Sequence, residues 1–382
     1  MKKNNLYNIN LNKIKAVKKV FDEDFIPITF SSSDYFVPYL AITIESLLAN
    51  GNKNINYDLI VFNKDISEQS KHMLEKVCSQ DNVSIRFINV EKIFKKLNLY
   101  TPGHVTIETY FRLVIPIFMR DYDKILFLDS DLLIQDDIKK LYDIDITNYA
   151  VAAAVECLMS ALLGIYGKDA VKYMYDKLHL KNADYYFQAG VMLMNIKYFN
   201  NNNCSKKLLN MVSNFNYNIV DQDALNELLN DKIMWLSNEW NYPPLQKHMI
   251  KANYIENMSE PVRNMYLSVK KPKILHFADF EKPWFYPTEA YADIWWQHAR
   301  KSIFYEEIIK KMIEHTINPK IENSHASLVG AIYDIKHYKQ NILKYWKYKF
   351  FKNFVWGKTK KRYGFKKRFY KDKIRNARQF IK

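Results

Sequence analysis

Two acidic residues stand directly behind a short apolar segment near the middle of the sequence. Asp129 and Asp131 follow Lys124–Leu128, a run that predicts a buried β-strand. In open α/β sheets ligands bind at the carboxyl ends of strands, and carboxylates two positions apart in extended chain project to the same side. Together they can hold one hard cation, which could bridge the phosphates of a nucleotide-sugar. The alternative is a surface turn, where such triplets are common.

A histidine and a lysine far along the chain could complete this site. His276 ends another short predicted strand, Lys273–His276, and Lys282 follows six residues later. The imidazole could be a third metal ligand, and the ammonium could meet a phosphate. The alternative is that neither residue belongs to a site: His276 would then lie at the edge of the core, and Lys282 would be an ordinary solvated lysine.

Two further polar segments each allow two interpretations. The triplet Asp221-Gln222-Asp223 stands at the start of a predicted helix, where it can cap the helix, point at a sugar, or do both. Arg112 lies on a helix predicted over Thr106–Ile117. It could bind a phosphate or an acidic partner, or it could be a surface arginine without such a role.

The segments around these residues alternate between strand and helix patterns. The predicted strands are Ile26–Ser31, Tyr57–Phe62, Val83–Val90, Lys124–Leu128, Ala150–Val155, Gly190–Asn195 and Lys273–His276. The predicted helices are Lys13–Phe21, Pro38–Asn50, a helix capped by Ser67 that runs to Ser79, Thr106–Ile117, Ser205–Asn214, Gln222–Leu229 and a charged region from Ile303. This alternation indicates an α/β fold with a mostly parallel, Rossmann-like sheet flanked by helices.

The composition is that of a globular protein with a basic end. The chain has 382 residues, 48% of them hydrophobic, which suits a large α/β domain with an appendage and excludes wholesale disorder. Cys78, Cys157 and Cys204 show neither metal-ligand spacing nor a disulfide framework, which suits a reducing cytoplasm. No secretory signal is expected. Tyr149–Tyr166, the most apolar stretch, contains Glu156 and is expected to be a buried strand leading into a helix, not a membrane span.

The net charge of +16 is concentrated in residues 336–382, which hold 18 Lys/Arg, one acid and thirteen aromatic residues. This interleaving predicts a segment that binds an anionic membrane surface, with rings at the headgroup level and cations near the phosphates. The alternatives are a solvated tail, a tail folded back onto the globule, and a nucleic-acid-binding segment whose rings stack on bases. Because the other 335 residues sum to −1, no basic cleft is visible and no nucleic acid is expected.

Six ordered segments resemble glycosyltransferase family 8, in particular the bacterial lipooligosaccharide galactosyltransferases and lipopolysaccharide glucosyltransferases. The segments are Phe30–Tyr35 with Tyr39-Leu40, His104–Leu113, Lys124–Asp131, Tyr185–Val191, Asp221–Asp223, and His276 with Lys282-Pro283-Trp284. The resemblance covers roughly residues 26–300. It implies a GT-A fold, Mn²⁺ or Mg²⁺, and a UDP-sugar donor. It also implies transfer of a hexose, glucose or galactose, with retention of configuration to lipopolysaccharide, capsule or another cell-surface glycan.

The resemblance also implies roles for individual residues. Asp129, Asp131 and His276 bind the metal, and Gln222 lies near the reacting face of the sugar beside Asp221. The implied donor-binding residues are Ser33, Asp34, Arg112, Asp129, Ser130, Glu156, Gln188, Ala189, Gly190 and Lys282, the last at the diphosphate.

Some positions depart from the family pattern. Ser33 stands where an acid often contacts the base, and Gln188 and Glu156 replace a shorter Asn and Asp. Asp279 lies where the family usually has glycine, close to the expected phosphates.

Retention of configuration has two possible routes. A protein nucleophile can invert the anomeric carbon twice, or the acceptor can attack the front face of a short-lived ion pair. The amide of Gln222 is a poor nucleophile, which favours the ion-pair route, and Asp221 remains a candidate for a covalent one.

The expected organisation has four parts: a polar leader (1–25), a catalytic domain (26–300), a helical region (301–335) and the basic aromatic tail (336–382). The expected location is the cytoplasm, at the inner face of the cell membrane, with a glycan or glycolipid acceptor. Two rival functions are a nucleic-acid-binding protein and an inactive homologue that serves as a membrane-bound scaffold.

Overall fold

The computed structural model describes residues 11–97, 99–102 and 106–317. Within them, the strands are β1 (Phe25–Ser31), β2 (Asn56–Asn63), β3 (Val83–Asn89), β4 (Lys124–Leu128), β5 (Leu132–Ile134), β6 (Val151–Ala154), β7 (Val191–Asn195), β8 (Ile233–Leu236) and β9 (Ile274–His276).

The α-helices of the described residues are α1 (Val37–Asn50), α2 (Glu68–Val77), α3 (Glu91–Phe94), α4 (Ile115–Phe118), α5 (Lys139–Tyr142), α6 (Cys157–Tyr166), α7 (Lys168–Asp176), α8 (Ile196–Asn201), α9 (Cys204–Asn214), α10 (Val220–Leu229), α11 (Lys247–Lys251), α12 (Tyr254–Asn257), α13 (Glu260–Ser268), α14 (Ala292–Ala299) and α15 (Tyr305–Ile317). Short 3₁₀ helices cover Leu11–Lys13, Asp34–Phe36, Ile107–Leu113 and Asn238–Trp240.

The main sheet has seven strands in the order β3-β2-β1-β4-β7-β6-β8. Strands β3, β2, β1 and β4 are parallel neighbours, β6 is parallel to β8, and β7 runs antiparallel to both β4 and β6. The central strand β4 is apolar and almost wholly buried, as expected for a strand covered on both faces. Because β7 is reversed, its amino end lies at the edge where β1 and β4 have their carboxyl ends.

A second sheet of two strands joins a strand that directly follows β4 to one from late in the sequence. Strand β5 begins four residues after Leu128 and pairs antiparallel with β9, so that Leu132 lies opposite His276. The backbone N–H of Phe277 also donates to the carbonyl of Asp131. A strand from late in the sequence is thereby held against the acidic loop that follows β4.

An aromatic cluster anchors the segment that follows β9. Tyr39 of α1 stacks on Trp284, with ring centroids 4.1 Å apart and planes 12° from parallel, and both side chains are buried. The indole N–H of Trp296 donates to the carbonyl of Pro283. Stacked rings at this spacing add to the burial of their area, so the backbone beside Lys282 is firmly held.

The predicted α/β class and the seven predicted strands are confirmed, with boundaries that differ by at most one residue, whereas β5 and β8 were not predicted. Ser67 caps α2 as predicted, because its hydroxyl accepts from the backbone N–H of Ser70. The stretch Tyr149–Tyr166 is a buried strand leading into a helix, also as predicted. Among the described residues no helix is both long and apolar enough to cross a membrane.

Two predicted helices are wrong or differ in form. No helix covers Lys13–Phe21, where Val17 is buried and donates its N–H to the carbonyl of Phe118. The segment predicted over Thr106–Ile117 is a 3₁₀ helix followed by α4, and Pro116 explains the break, because its ring would clash with the carbonyl four residues earlier in a continuous α-helix.

The remaining predicted parts of the chain are outside this description. Residues 1–10 of the leader, residues 318–335 of the helical region and the whole tail 336–382 lie beyond the described residues. The boundaries of the four predicted parts therefore stay predictions.

Candidate functional site

Three predicted metal ligands meet at the carboxyl end of β4. Asp129 and Asp131 follow that strand, and the pairing of β5 with β9 brings His276 beside them. One possible ligand atom from each of the three residues lies within 4.8 Å of the others. Among the described residues, this is the one group of three acidic, histidine or cysteine side chains close enough to bind a single metal ion. The sequence-based prediction that these distant residues converge agrees with this geometry.

The three side chains fit a divalent cation. Nε2 of His276 lies 3.2 Å from Oδ1 of Asp131 and 3.8 Å from Oδ2 of Asp129. Oδ1 of Asp131 is buried and accepts no hydrogen bond within the described structure, although buried polar atoms normally have partners. Two carboxylates and one imidazole are a donor set that suits Mn²⁺ and related ions.

Gly190 leaves the space that this cluster needs. A Cβ at this position would come 2.3 Å from Cε1 of His276 and 2.5 Å from Oδ2 of Asp129. Such contacts are far shorter than van der Waals separation. Any side chain at residue 190 would therefore push two of the three candidate ligands apart, which gives a physical reason for glycine in this predicted donor-binding segment.

Arg112 is buried at the centre of the site and links two acids. Its Nη2 donates to Oδ1 of Asp129 at 2.9 Å, and its Nε lies 3.0 Å from Oδ2 of Asp221. Its Nη1 donates to the carbonyl of Ala189 at 2.6 Å, and the guanidinium lies over the ring of Phe127. The surface-arginine interpretation is wrong, and the described contacts of this guanidinium are with two carboxylates, the backbone and one aromatic ring.

Burial and these charges set the ionisation of the acids. Burial raises the pKa of Asp129 and of Asp221, and Arg112 only partly offsets this effect. At Asp131, in contrast, burial also acts to raise the pKa, but Lys282 and His276 together outweigh it and hold the pKa below its usual range. Asp131 is therefore the acid of the cluster that stays ionised most readily.

Lys282 is paired with the candidate metal site itself. Its Nζ donates to Oδ2 of Asp131 at 2.7 Å and also to the carbonyl of Phe277. The solvated-lysine interpretation is therefore wrong. The predicted contact with a diphosphate stays a prediction, and the lysine already lies beside the acid that would bind the cation.

The loop before β7 brings three predicted donor-binding residues, Gln188, Ala189 and Gly190, next to the candidate metal ligands. The N–H of Ala189 donates to Oε1 of Gln222 at 2.8 Å, and the N–H of Gly190 donates to Oε1 of Gln188. The carbonyl of Gly190 accepts from the N–H of Asp129 at 2.8 Å. The reversal of β7 thus lets the start of that strand contact the acidic loop and the Asp-Gln-Asp triplet.

The triplet 221–223 lies inside the first turn of α10, not ahead of it. The residue before the helix is Ile219, so neither acid occupies the N-cap position, but Asp223 caps the helix start from within its first turn, because its Oδ2 accepts from the N–H of Ile219 at 2.9 Å. Asp223 also accepts hydrogen bonds from the hydroxyls of Tyr173 and Tyr186, each at 2.7 Å. Burial raises the pKa of Asp223, whose role within these contacts is to hold the helix start.

Other predicted donor-binding residues have contacts that stabilise the fold around the site. Glu156 caps α6, since its Oε1 accepts from the N–H of Leu158, and burial raises its pKa. Asp34 accepts from the N–H and the hydroxyl of Ser67, which ties the loop after β1 to α2. Ser130 is buried and donates to the carbonyl of Ser31. Ser33 precedes a 3₁₀ helix without capping it.

Several residues of the site were not identified from the sequence. Asn241 is buried, and its Oδ1 lies 2.9 Å from Nδ1 of His276. Thr109 donates to Oδ1 of Asp221 at 2.9 Å. The sequence could have indicated Thr109, because it stands three residues before Arg112 on the same helical face. Asn241 is a lone amide in a loop, and no sequence pattern points to it.

His248 provides a partner for the unusual Asp279. Nε2 of His248 lies 2.9 Å from Oδ2 of Asp279, and Nδ1 lies 2.7 Å from Oε2 of Glu281. Burial alone would lower the pKa of His248, but the two carboxylates outweigh it and raise that pKa. Asp279 therefore forms an ion pair with His248, which lies on α11.

Comparison with known proteins agrees with this site. The lipopolysaccharide 1,3-galactosyltransferase of Salmonella typhimurium is 24% identical over 340 residues, which cover 84% of this chain and 93% of that protein. Among solved structures, the bifunctional glycosyltransferase WbbM has a TM-score of 0.70 and 28% identity. The match covers 78% of this chain and 53% of WbbM, so this chain spans about half of that protein.

The fold is likewise shared with the galactosyltransferase LgtC, solved with donor and acceptor sugar analogs. The TM-score is 0.59 at 23% identity, over 73% of this chain and 96% of LgtC. The mixed, mostly parallel sheet is therefore of the GT-A type. The sequence profile of glycosyl transferase family 8 matches residues 27–288, well over half of the chain. This chain belongs to glycosyltransferase family 8.

Proposed function

We propose that this glycosyltransferase moves a hexose, glucose or galactose, from a UDP-sugar to a cell-surface glycan or glycolipid with retention of configuration. Asp129, Asp131 and His276 would hold Mn²⁺ or Mg²⁺. The observation that carries this proposal is the convergence of these three side chains, with one possible ligand atom from each within 4.8 Å of the others.

Lys282 is proposed to bind the diphosphate of the donor. A divalent cation in the site would neutralise charge on the departing diphosphate. Lys282 now neutralises Asp131, and with a cation there its ammonium is free to exchange this carboxylate for a phosphate oxygen. The stacked Trp284, two residues further on, keeps the backbone of Lys282 in place during that exchange.

Contacts of Asp221 support the ion-pair route over the covalent one. One oxygen of Asp221 accepts from Thr109 and the other faces Arg112, so both are engaged. Along the ion-pair route the bond from the anomeric carbon to the diphosphate breaks and a bond to the acceptor oxygen forms on the same face. The acceptor proton passes to the leaving phosphate oxygen. Gln222 is proposed to support the sugar, held by its bond from Ala189.

The acceptor is proposed from the named relatives. The Salmonella typhimurium relative is named for lipopolysaccharide, and the LgtC structure contains donor and acceptor sugar analogs. A lipopolysaccharide, capsule or other surface glycan is the corresponding acceptor class here. The two rival functions, a nucleic-acid-binding protein and an inactive scaffold, lack support from the site, since neither requires three metal ligands beside Arg112 and Lys282.

The test is hydrolysis of a UDP-hexose with and without Mn²⁺. Asp131→Ala should abolish metal-dependent turnover and leave thermal unfolding near that of the wild type. Asp136→Ala is the matched control, because Asp136 is an acid close in sequence whose contacts are with Lys140 and its own loop. Metal-dependent turnover retained in Asp131→Ala, or an absence of turnover in the wild type, would count against the proposal.

Membrane attachment through residues 336–382 is a second part of the proposal and rests on sequence alone. Each cation near an anionic leaflet contributes about 1 kcal/mol, so half of the 18 would hold the enzyme at the inner face of the membrane. Truncation after residue 335 should release the protein from anionic liposomes and leave UDP-hexose hydrolysis largely unchanged. Equal liposome binding by both proteins would exclude the attachment.

A further inference from the structure

We infer that Asn241 is a positioning residue that fixes the ring proton of His276 on Nδ1, so that Nε2 presents its lone pair to the metal. The inference rests on the proposed metal site. Its basis is a relay of hydrogen bonds that starts at a backbone N–H, whose role as a donor has no alternative, and ends at the imidazole.

The first half of the relay fixes the amide of Asn241. The N–H of Gly190 can only donate, so the atom of Gln188 that it contacts must be the carbonyl oxygen Oε1. The same oxygen lies 2.9 Å from the amide of Asn241. Because an oxygen cannot donate, the Asn241 atom facing it must be the NH₂ group.

The second half fixes the tautomer of His276. With its NH₂ turned to Gln188, Asn241 turns its Oδ1 to Nδ1 of His276, 2.9 Å away. An amide oxygen only accepts, so Nδ1 must carry a proton. Whenever the ring is neutral, Nε2 therefore has none, and this nitrogen faces Asp131 and Asp129 at 3.2 and 3.8 Å.

Backbone pairing explains why Asn241 stands beside His276. The N–H of Tyr242 donates to the carbonyl of Ile274, and the N–H of His276 donates to the carbonyl of Tyr242, both at 2.9 Å. Asn241 and His276 are 3% and 2% exposed, so water has little access to replace the amide. Asn241 is thus the side chain described in contact with Nδ1 of His276.

Metal binding to variants provides the first test, with Mn²⁺ alone as the probe and electron paramagnetic resonance as the readout. Asn241→Leu should weaken Mn²⁺ binding by about 10- to 100-fold, the usual cost of losing a hydrogen bond to a metal-bound histidine. Asn241→Asp keeps an acceptor for Nδ1 and should bind Mn²⁺ nearly as well as the wild type.

Asn238→Leu is the matched control. Asn238 is equally buried at 3% and its NH₂ donates to the carbonyl of Val155 at 2.8 Å, without a described contact to His276. This variant should lose stability and keep its affinity for Mn²⁺. Equal Mn²⁺ affinities of the two leucine variants would overturn the inference.

A second measurement does not depend on metal or on any variant of Asn241. In metal-free wild-type protein with ¹⁵N-labelled histidine, the His276 signals are identified by their loss in His276→Gln. At a pH where the ring is neutral, its proton should be on Nδ1, and a proton on Nε2 would overturn the inference. If the wild type binds no Mn²⁺, the metal proposal fails, while this spectrum still decides the role of Asn241.

Discussion

Adding one methyl group at Gly190 should disable the candidate metal site without replacing any of its three ligand residues. The new Cβ in Gly190→Ala would lie 2.3 Å from Cε1 of His276 and 2.5 Å from Oδ2 of Asp129. Ordinary contact begins at 3.4 Å, so each ligand must retreat by about 1 Å. His276 has little room for this movement, because Asn241 holds Nδ1, the ring atom bonded to Cε1.

The expected loss follows from the tolerance of metal coordination. Protein–metal distances hold to within about 0.2 Å, and the displacement is several times larger. A misplacement of about 1 Å costs on the order of 100-fold in activity, and we expect a loss of that size in metal-dependent turnover. Overpacking should also reduce the free energy of unfolding by about 1–3 kcal/mol.

The assay pairs UDP-hexose hydrolysis over a Mn²⁺ titration with thermal unfolding. Gly164→Ala is the control for overpacking alone, since its Cβ would lie 1.9 Å from the carbonyl oxygen of Asn257, between α6 and α12. That variant should be destabilised and keep its Mn²⁺ dependence. If Gly190→Ala shows the Mn²⁺ dependence and turnover of the wild type, the geometric argument for this site is refuted.

Three further predictions follow from the site and its surroundings. Lys282→Ala should slow UDP-hexose turnover more than it weakens uridine binding, because charge grows on the leaving phosphate; Lys273→Ala is the control. His248 has a raised pKa, so its ion pairs should stabilise the wild type over His248→Gln below the ordinary pKa of 6.5, and this advantage should vanish as pH rises through the raised pKa. With a UDP-α-hexose, NMR of the first-formed product should show an α-linkage.

Each of these predictions has a contrary outcome. Equal losses of turnover and uridine binding in Lys282→Ala would remove its role at the diphosphate. Denaturant unfolding of the wild type and of His248→Gln at several pH values measures the second prediction. A difference in their free energies of unfolding that grows with pH would contradict it. A β-linked first product would show inversion.

The sequence predicted those parts of the site that lie at the ends of apolar strands. Asp129 and Asp131 could be placed because a buried five-residue strand must end before a charged residue, and its carboxyl end is where such sheets bind ligands. The convergence of His276 with them was predicted from the family resemblance. Its physical cause, the antiparallel pairing of β5 with β9, was not visible in the short segment Leu132–Ile134.

Contacts that depend on tertiary packing were not predictable. Arg112 carries the same charge on a surface as in a core, and only packing against Phe127 with Asp129 and Asp221 distinguishes the two. The reversed direction of β7 has no signature in its own apolar sequence, since parallel and antiparallel buried strands look alike. Asn241 had no local pattern, because its partners lie more than 30 residues away.

The charges around Arg112 would couple the binding of a cation to the binding of a diphosphate. Asp129, Asp131 and Asp221 contribute one more formal negative charge than Arg112 and Lys282 neutralise. A divalent cation held as proposed would reverse the sign of this cluster, and the new positive excess would attract a diphosphate. Because such coupling is reciprocal, a bound nucleoside diphosphate would tighten the binding of the cation by the same factor. Under the proposed function, the apparent affinity of the site for the cation or for the diphosphate would therefore be set by the concentration of the other.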